Sequence, residues 1–236
     1  MSKVLTVSDI AKMVDHSLLR PTLTDQEFEE GVELVKKYRC FTVMVAPYDV
    51  PRAVKALQGT GIQVSTVIDF PHGMNMTASK VYQANLAMDN GAEHLDMVLG
   101  ISRVVSGHMQ DVEADIRAVV EAGHARNIPV KVIFETCYLT KEMIVASCKA
   151  SERAGADFVK TSTGYGPGGA SLEDVRLMRQ SVGPAVRVKP SGGIRTLDDV
   201  LHYRQAGAAM IGTRATAAIL DEAVKREKEG TLAELD

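Results

Sequence analysis

Two lysines in apolar surroundings are the residues of this sequence best suited to covalent chemistry. Lys160 lies in ADFVKTSTGYGPGG (156–169), and Lys189 ends the run AVRVK (185–189). Burying an ammonium is costly, so an apolar site favours the neutral amine, and a second ammonium nearby acts in the same direction. The neutral amine is the form that attacks a carbonyl carbon. The pair therefore indicates a nucleophilic lysine, provided that the fold brings the two side chains together.

The elements that carry these lysines alternate between short apolar strands and amphipathic helices. Strands are predicted at 14–18, 41–46, 63–70, 94–99, 129–135, 157–162, 185–190 and 208–213. Helices are predicted over 24–38, from about 50, over 77–90, over 109–126 and after Thr140, whose hydroxyl is suited to an N-cap. A short additional helix is expected at 8–13, before the first strand.

Eight strand–helix units predict an α/β protein with a single (β/α)8 TIM-barrel domain over residues 1–236 and a short extra N-terminal helix. The strands read as apolar on both faces, as buried parallel strands do. Gly91, Gly155 and Gly207 each precede a strand and are expected to end helices in the left-handed conformation. A doubly wound sheet is the alternative, but the first strand is followed by SLLRPTLT (17–24), which lacks the glycine-rich turn typical of that fold.

Polar residues at the C-terminal ends of barrel strands are the candidates for catalysis. They are Asp15, His16, Asp69, Asp96, Glu135, Lys160, Thr161, Lys189, Gly212 and Thr213. Neighbouring strands lie about 4.8 Å apart, so Lys160 and Lys189 are expected to place their amines side by side. The alternative is that each lysine pairs with Asp96 or Glu135 and only closes the barrel. Two lysines at matching strand ends, with an aspartate nearby, favour the catalytic interpretation.

Glycine-rich loops follow the last three predicted strands. Glycines let backbone N–H groups approach an anion, and the loops after strands 7 and 8 often bind phosphate in such barrels. The alternative is that these glycines only make tight turns, but three converging loops favour anion binding. The candidate phosphate and substrate contacts are Gly164, Gly192, Gly193, Gly212, Thr213 and Arg214.

Composition argues against several classes of partner. The formal net charge is −3, aromatic residues make up 5% and tryptophan is absent, which disfavours a nucleic-acid-binding surface. No apolar run has the length of a membrane span, and no signal peptide is recognisable. We therefore expect a cytoplasmic protein with a small-molecule substrate.

The cysteines and histidines indicate neither a disulfide framework nor a metal site. Cys40, Cys137 and Cys148 are widely spaced; Cys137 is expected to be partly buried and inert, and the other two to pack in the core. The six histidines show no repeated spacing, whereas zinc needs a convergent ligand set. We expect no metal and no other cofactor.

Seven segments of the chain resemble those of the deoxyribose-phosphate aldolase family, whose members are class I, Schiff-base-forming aldolases. They are VDHSLLRPTLT (14–24), TVIDFPHG (66–73), EHLDMVLG (93–100), FETCYLT (134–140), AGADFVKTSTGYGPGGAS (154–171), RVKPSGGIRT (187–196) and MIGT (210–213). The resemblance implies a barrel that reversibly cleaves 2-deoxy-D-ribose 5-phosphate to D-glyceraldehyde 3-phosphate and acetaldehyde. It also implies a homodimer or homotetramer.

The same resemblance implies a role for four residues. Lys160 would form the Schiff base, and Lys189 would lower its pKa and take part in proton transfer. Asp96 would act through a water molecule on the C3 hydroxyl, and Asp15 would complete the proton relay.

The chain departs from the family pattern at several positions. Met44 and Ala46 stand where a cysteine and an asparagine are common, and Leu99 and Gly100 follow the Asp96 strand where asparagine is common. Arg214, in GTRATA, replaces a serine-rich turn. These departures leave open a related Schiff-base aldolase with a different aldehyde or an acidic sugar as substrate. A phosphate-binding barrel isomerase, or a non-catalytic sugar-phosphate sensor, in which the lysines only hold anions, is a further alternative.

Overall fold

Eight parallel strands form one sheet that curves into a barrel in the computed structural model, which describes residues 3–235. The strands are β1 (Val14–Leu18), β2 (Thr42–Val45), β3 (Gln63–Ile68), β4 (His94–Val98), β5 (Val130–Ile133), β6 (Phe158–Lys160), β7 (Arg187–Lys189) and β8 (Ile211–Thr213). Consecutive strands pair from β1 to β7, and β8 pairs with β1. Parallel bridges from Val188 to Ala208 and from Ser191 to Gly212 connect the β7 and β8 segments. The predicted single-domain TIM barrel is confirmed.

Helices follow the strands and cover the outside of the barrel. They are α1 (Val7–Ala11), α2 (Asp25–Tyr38), α3 (Val50–Leu57), α4 (Thr77–Asp89), α5 (Ile101–Val105), α6 (Met109–His124), α7 (Lys141–Arg153), α8 (Leu172–Ser181), α9 (Leu197–Gln205) and α10 (Thr216–Lys228). The short α1 precedes β1, as expected, and the Thr140 side chain caps α7. The sequence analysis did not predict α5. Within residues 3–235, no helix combines the length and the apolar character that crossing a membrane would require.

Three glycines end helices in the conformation that the sequence predicted. Gly91, Gly155 and Gly207 have φ angles of 97°, 87° and 95°. Because glycine has no Cβ, it adopts these angles at little cost and lets the chain turn directly into the next strand. These turns fix the point at which β4, β6 and the β8 segment enter the barrel.

The two faces of the strands differ in character, contrary to the prediction that both would be apolar. The outer face supplies valines and other aliphatic side chains to a core shared with the helices. Buried charged side chains from β1, β4, β5, β6 and β7 hydrogen-bond to one another, which is possible only inside the barrel. The interior of the barrel therefore carries a layer of charged side chains.

Strands β6, β7 and β8 each have three residues and are shorter than predicted. Their pairing stops where the chain turns into the rim loops. Lys160 and Lys189 are the last residues of β6 and β7 and lie opposite each other in the sheet register. On β4 and β5, Asp96 lies opposite Lys131. This register brings four charged side chains to one region of the interior.

Candidate active site

Five buried charged residues form one hydrogen-bonded cluster inside the barrel: Asp15, Asp96, Lys131, Lys160 and Lys189. The Nζ atoms of Lys160 and Lys189 each donate to Oδ2 of Asp96 at 2.7 Å. Lys189 also donates to Oδ2 of Asp15. The prediction that the two lysines lie together is therefore confirmed.

Each of the remaining carboxylate oxygens of the cluster also has a donor. Oδ1 of Asp96 accepts from Lys131 Nζ at 2.7 Å, and Oδ1 of Asp15 accepts from Thr42 Oγ1 at 2.5 Å. Three lysines share two carboxylates, so full ionisation would leave an uncompensated positive charge in a buried site. Such a charge is costly, which favours the loss of one lysine proton.

The pKa shifts indicate which lysine holds its proton most firmly. Burial disfavours the ammonium of Lys189, but Asp15 and Asp96 outweigh it and raise its pKa. Burial lowers the pKa of Lys160; Asp96 opposes this effect, and the ammonium of Lys189 adds to it. Burial likewise lowers the pKa of Lys131 to about 8, against the attraction of Asp96. Lys160 and Lys131 are thus both prone to deprotonation beside Lys189, which stays protonated, and of the two it is Lys160 that lines the cavity described below.

Asp96 remains ionised at the centre of the cluster. Burial alone would raise its pKa, but the ammonium groups of Lys131, Lys160 and Lys189 outweigh burial and hold the pKa well below its usual range. Asp96 is therefore a carboxylate next to the amine of Lys160, placed to accept a proton.

A cavity of about 550 Å³ opens above this cluster. Asp15 and Lys160 line its inner end, and all six predicted phosphate contacts line its wall: Gly164, Gly192, Gly193, Gly212, Thr213 and Arg214. Within residues 3–235, the backbone N–H groups of Gly164, Gly192 and Gly193 have no acceptor in the protein. Unpaired N–H groups and glycines at a cavity wall are the components of an anion site.

Gly212 has a steric reason for being glycine. A Cβ atom there would lie 2.9 Å from Cβ of Ser191 and 3.6 Å from Cε of Lys189. A side chain at this position would clash with Ser191 in the loop after β7, whereas the contact with Lys189 would be an ordinary van der Waals distance. The absence of a side chain thus lets β8 approach the loop after β7, where Gly212 and Ser191 form a parallel bridge.

Comparison with known proteins agrees with this geometry. The chain matches the model of the family described as DeoC/LacD family aldolase over residues 10–220. The chain belongs to this aldolase family. It is 45% identical to the deoxyribose-phosphate aldolase of Rhodopirellula baltica over 218 residues, which is 92% of this chain and 90% of that protein.

Solved structures of the aldolase family have the same fold. A crystal structure of a candidate deoxyribose-phosphate aldolase from Coccidioides immitis superposes with a TM-score of 0.89 at 42% identity, covering 94% of this chain and 88% of the other. The tetrameric deoxyribose phosphate aldolase of Aeropyrum pernix gives a TM-score of 0.86 at 28% identity, with 92% of each chain covered.

Lys131 is the member of the aldolase cluster that the sequence analysis missed. It lies within VKVI of β5, an apolar run that the sequence analysis read as a core strand. The structure shows that its side chain has no exposed surface. The available signal was its resemblance to Lys160, which also stands at an inward position of an apolar strand. Its place opposite Asp96 becomes visible only in the register of β4 and β5.

Several strand-end candidates lie outside the cluster of charges. Nδ1 of His16 is 2.8 Å from Thr216 Oγ1 between β1 and α10, and Asp69 pairs with Lys80 at 3.3 Å. Thr161 bonds the backbone of Ser191 and so connects the loops after β6 and β7. Within residues 3–235, none of these three side chains hydrogen-bonds to the cluster of charges.

The alternative interpretation, in which the lysines pair with carboxylates, is partly right. Both Lys160 and Lys189 pair with Asp96, and neither pairs with Glu135. Glu135 instead accepts hydrogen bonds from Thr163. Pairing is compatible with a nucleophilic role for Lys160, because burial still lowers its pKa.

The departures from the family pattern occupy different places. Met44 lines the cavity, whereas Leu99 packs in the hydrophobic core and does not line the cavity. Arg214 is exposed at the cavity wall, and within the described chain its side chain forms no ion pair. Arg20 and Arg195 also line the cavity, which the sequence analysis did not anticipate because both lie in rim loops.

The cysteines only partly follow their predictions. Cys40 and Cys148 are buried, as predicted, and burial raises the pKa of each to about 12. The prediction that Cys137 is partly buried is wrong, because it lies in a turn at the barrel rim and is exposed. Between residues 3 and 235, no group of three or more His, Cys, Asp or Glu side chains is arranged to hold a metal ion.

Proposed function

We propose that this protein reversibly cleaves 2-deoxy-D-ribose 5-phosphate to D-glyceraldehyde 3-phosphate and acetaldehyde, through a Schiff base on Lys160. The observation that carries the proposal is the placement of Lys160. Its amine lies within hydrogen-bonding distance of Asp96, next to the protonated Lys189, and at the inner end of a cavity whose wall offers unpaired N–H groups. Its relatives named above carry the same activity in their names.

Imine formation begins with the neutral amine of Lys160. The nitrogen attacks C1 of the open-chain sugar, and the resulting carbinolamine loses water to give a protonated imine. Lys189 keeps Lys160 prone to deprotonation and, as a proton donor beside it, assists the loss of water. The lowered pKa of Lys160 and the raised pKa of Lys189 suit these two roles.

Carbon–carbon cleavage needs a base at the C3 hydroxyl. Asp96 accepts that proton, directly or through a water molecule, while the electron pair of the C2–C3 bond moves to the iminium. D-Glyceraldehyde 3-phosphate leaves, and the enamine that remains is protonated at C2 and hydrolysed to acetaldehyde. Lys189 donates hydrogen bonds to both Asp96 and Asp15, so a proton can pass between these three side chains.

The phosphate end of the substrate occupies the glycine-lined wall. The N–H groups of Gly164, Gly192 and Gly193 donate to phosphate oxygens, and Gly212 and Thr213 complete the wall. Arg214 adds a guanidinium suited to a phosphate, which it can contact in a bidentate manner. The chain assembles as a homodimer or homotetramer; the tetramer of the Aeropyrum pernix relative supports association.

The test is an assay of the purified protein with 2-deoxy-D-ribose 5-phosphate, following acetaldehyde and D-glyceraldehyde 3-phosphate separately. Equimolar release of both products supports the proposal, and a chelator should leave the rate unchanged because the imine is the electron sink. Turnover of a sugar acid, without turnover of the sugar phosphate, would favour the alternative aldolase that Arg214 and Met44 suggest. Light scattering of the same sample measures the oligomeric state.

A further inference from the structure

Glu135 is a buried carboxylate for which the proposed reaction has no use. It follows β5, is 2% exposed and has a left-handed backbone with φ of 56°. Within residues 3–235, it forms no ion pair, in contrast to Asp96 with its three lysines. A buried carboxylate without a cation is costly and is kept only where its hydrogen bonds compensate. A strained backbone at such a residue often marks a position that function requires.

Within residues 3–235, the hydrogen bonds to the carboxylate of Glu135 all come from one residue of the loop after β6. The backbone N–H of Thr163 donates to Oε1 at 3.2 Å and to Oε2 at 3.3 Å, and the Thr163 hydroxyl donates to Oε2. The Thr163 hydroxyl oxygen in turn accepts from the backbone N–H of Tyr165 at 3.0 Å. Glu135 therefore fixes the residues on both sides of Gly164.

The rest of this loop packs closely against the loops on either side of it. A Cβ atom on Gly166 would lie 3.0 Å from Cδ of Glu135, and one on Gly168 would lie 2.7 Å from Cβ of Cys137. On the other side, Ala170 donates its N–H to the carbonyl of Gly192 at 3.0 Å. The loop is thus held between the loop after β5, which carries Glu135, and the loop after β7.

We propose that Glu135 is a positioning residue for the phosphate end of the substrate. Through Thr163 it orients the N–H of Gly164 toward the cavity and keeps that loop against Gly192. This role rests on the proposed function, because it assumes a phosphate at the glycine-lined wall. Glu135 itself does not touch the substrate.

The direction in which Glu135→Gln changes the affinity for phosphate distinguishes a positioning role from a purely electrostatic one. If Glu135 acted only as a negative charge near an anion, its neutralisation would strengthen phosphate binding. If Glu135 is a positioning residue, the amide of Glu135→Gln offers Thr163 one acceptor oxygen in place of two. The loop is then held less firmly, and phosphate binding weakens. Hydrogen bonds to a charged group are strong enough for a loss of roughly tenfold.

The experiment measures binding of glycerol 3-phosphate by calorimetry to the wild-type protein, to Glu135→Gln and to Glu173→Gln. The last makes the same change on a glutamate of α8 whose side chain is 78% exposed. We expect the affinity to fall roughly tenfold in Glu135→Gln and to stay unchanged in Glu173→Gln. Unchanged or tighter binding in Glu135→Gln would overturn the proposal.

Two further measurements keep the inference separate from the proposed function. Trapping of acetaldehyde on Lys160 by borohydride, which needs no phosphate, should proceed equally in the wild type and in Glu135→Gln; a matching loss of trapping would mean general damage and would overturn the positioning role. If Glu135→Gln does not fold, Thr163→Val removes the hydroxyl part of this contact from the other side and should also lower the affinity, with rescue by Thr163→Ser. A wild-type protein that binds glycerol 3-phosphate without cleaving deoxyribose 5-phosphate would refute the proposed reaction and leave the role of Glu135 in anion binding to be decided by the same variants.

Discussion

Lys131 donates a hydrogen bond of 2.7 Å to Oδ1 of Asp96 inside the barrel, where neither side chain has any exposed surface. Because this bond occupies Oδ1, the other oxygen of Asp96 serves both Lys160 and Lys189. Lys131 also adds a third positive charge to a site with two carboxylates. We infer that it both orients Asp96 and favours a neutral Lys160.

Replacement of Lys131 by methionine should move the pH profile of catalysis. Loss of a nearby ammonium raises the pKa of Lys160, and the neutral amine then forms only at higher pH. At a pH below the pKa of Lys160, raising that pKa by about one lowers the neutral fraction about tenfold, so kcat/KM at pH 7 falls while activity recovers at alkaline pH. The titratable groups around Lys131 are the charged Asp15, Asp96 and Lys189, together with Lys160, which shares Asp96 with it, and His94, which burial keeps neutral.

Lys149→Met is the matched control, because Lys149 lies on the outer face of α7 with a half-exposed side chain. The acidic limb of the profile of kcat/KM should be the same in this variant as in the wild type. An unshifted limb in Lys131→Met as well would mean that Lys131 only fills the barrel.

Arg214→Ser should weaken binding of the phosphorylated substrate. Arg214 lines the cavity, and within the described residues its guanidinium forms no ion pair, so it is available to an anion. We expect KM for deoxyribose 5-phosphate to rise several-fold to about tenfold with little change in kcat, and the difference to shrink at high salt. Arg176→Ser changes an exposed arginine of α8 outside this cavity and should leave KM unaltered. Equal kinetics in both variants would mean that Arg214 points into solvent.

Two buried histidines should make the fold sensitive to acid. Burial lowers the pKa of His94 to about 2 and that of His16 to about 4, from an ordinary value of 6.5. Below pH 6.5 the unfolded chain binds protons that the folded chain excludes, so the free energy of unfolding falls as the pH falls. The limiting slope is about 1.4 kcal/mol per pH unit for each histidine, ending near pH 4 for His16.

Urea unfolding between pH 7 and pH 4 measures this slope. His94→Gln should flatten it, whereas His108→Asn, a change on an exposed histidine, should not. A slope that is the same in all three proteins would contradict the assignment of the acid sensitivity to His94.

The sequence was sufficient for the parts of the site that lie at strand ends. Lys160 and Lys189 are each the last residue of a strand. The alternation of strands and helices along the sequence predicts the barrel, and in a barrel the C-terminal ends of neighbouring strands lie side by side, so the two lysines are expected to lie together. The glycines of the cavity wall were predictable for a similar reason, since they lie in the loops that follow those strands. Asp96 was recognised as polar within an otherwise apolar strand.

The residues that were missed depend on tertiary structure. Lys131 lies in the middle of an apolar run, and only the register of β4 against β5 shows that it meets Asp96. Arg20 and Arg195 lie in rim loops, whose direction no local pattern determines. The exposure of Cys137 depends in the same way on how the turn after β5 packs.

The central claim is that Lys160 is a nucleophile, and borohydride trapping tests it most directly. The wild-type protein and Lys160→Leu are incubated with deoxyribose 5-phosphate, reduced, and examined by intact mass and peptide mapping. The account predicts a reduced adduct on the peptide that contains Lys160 in the wild type, and none in Lys160→Leu. An adduct on another lysine, or no adduct with this sugar or with any other aldehyde, would contradict it.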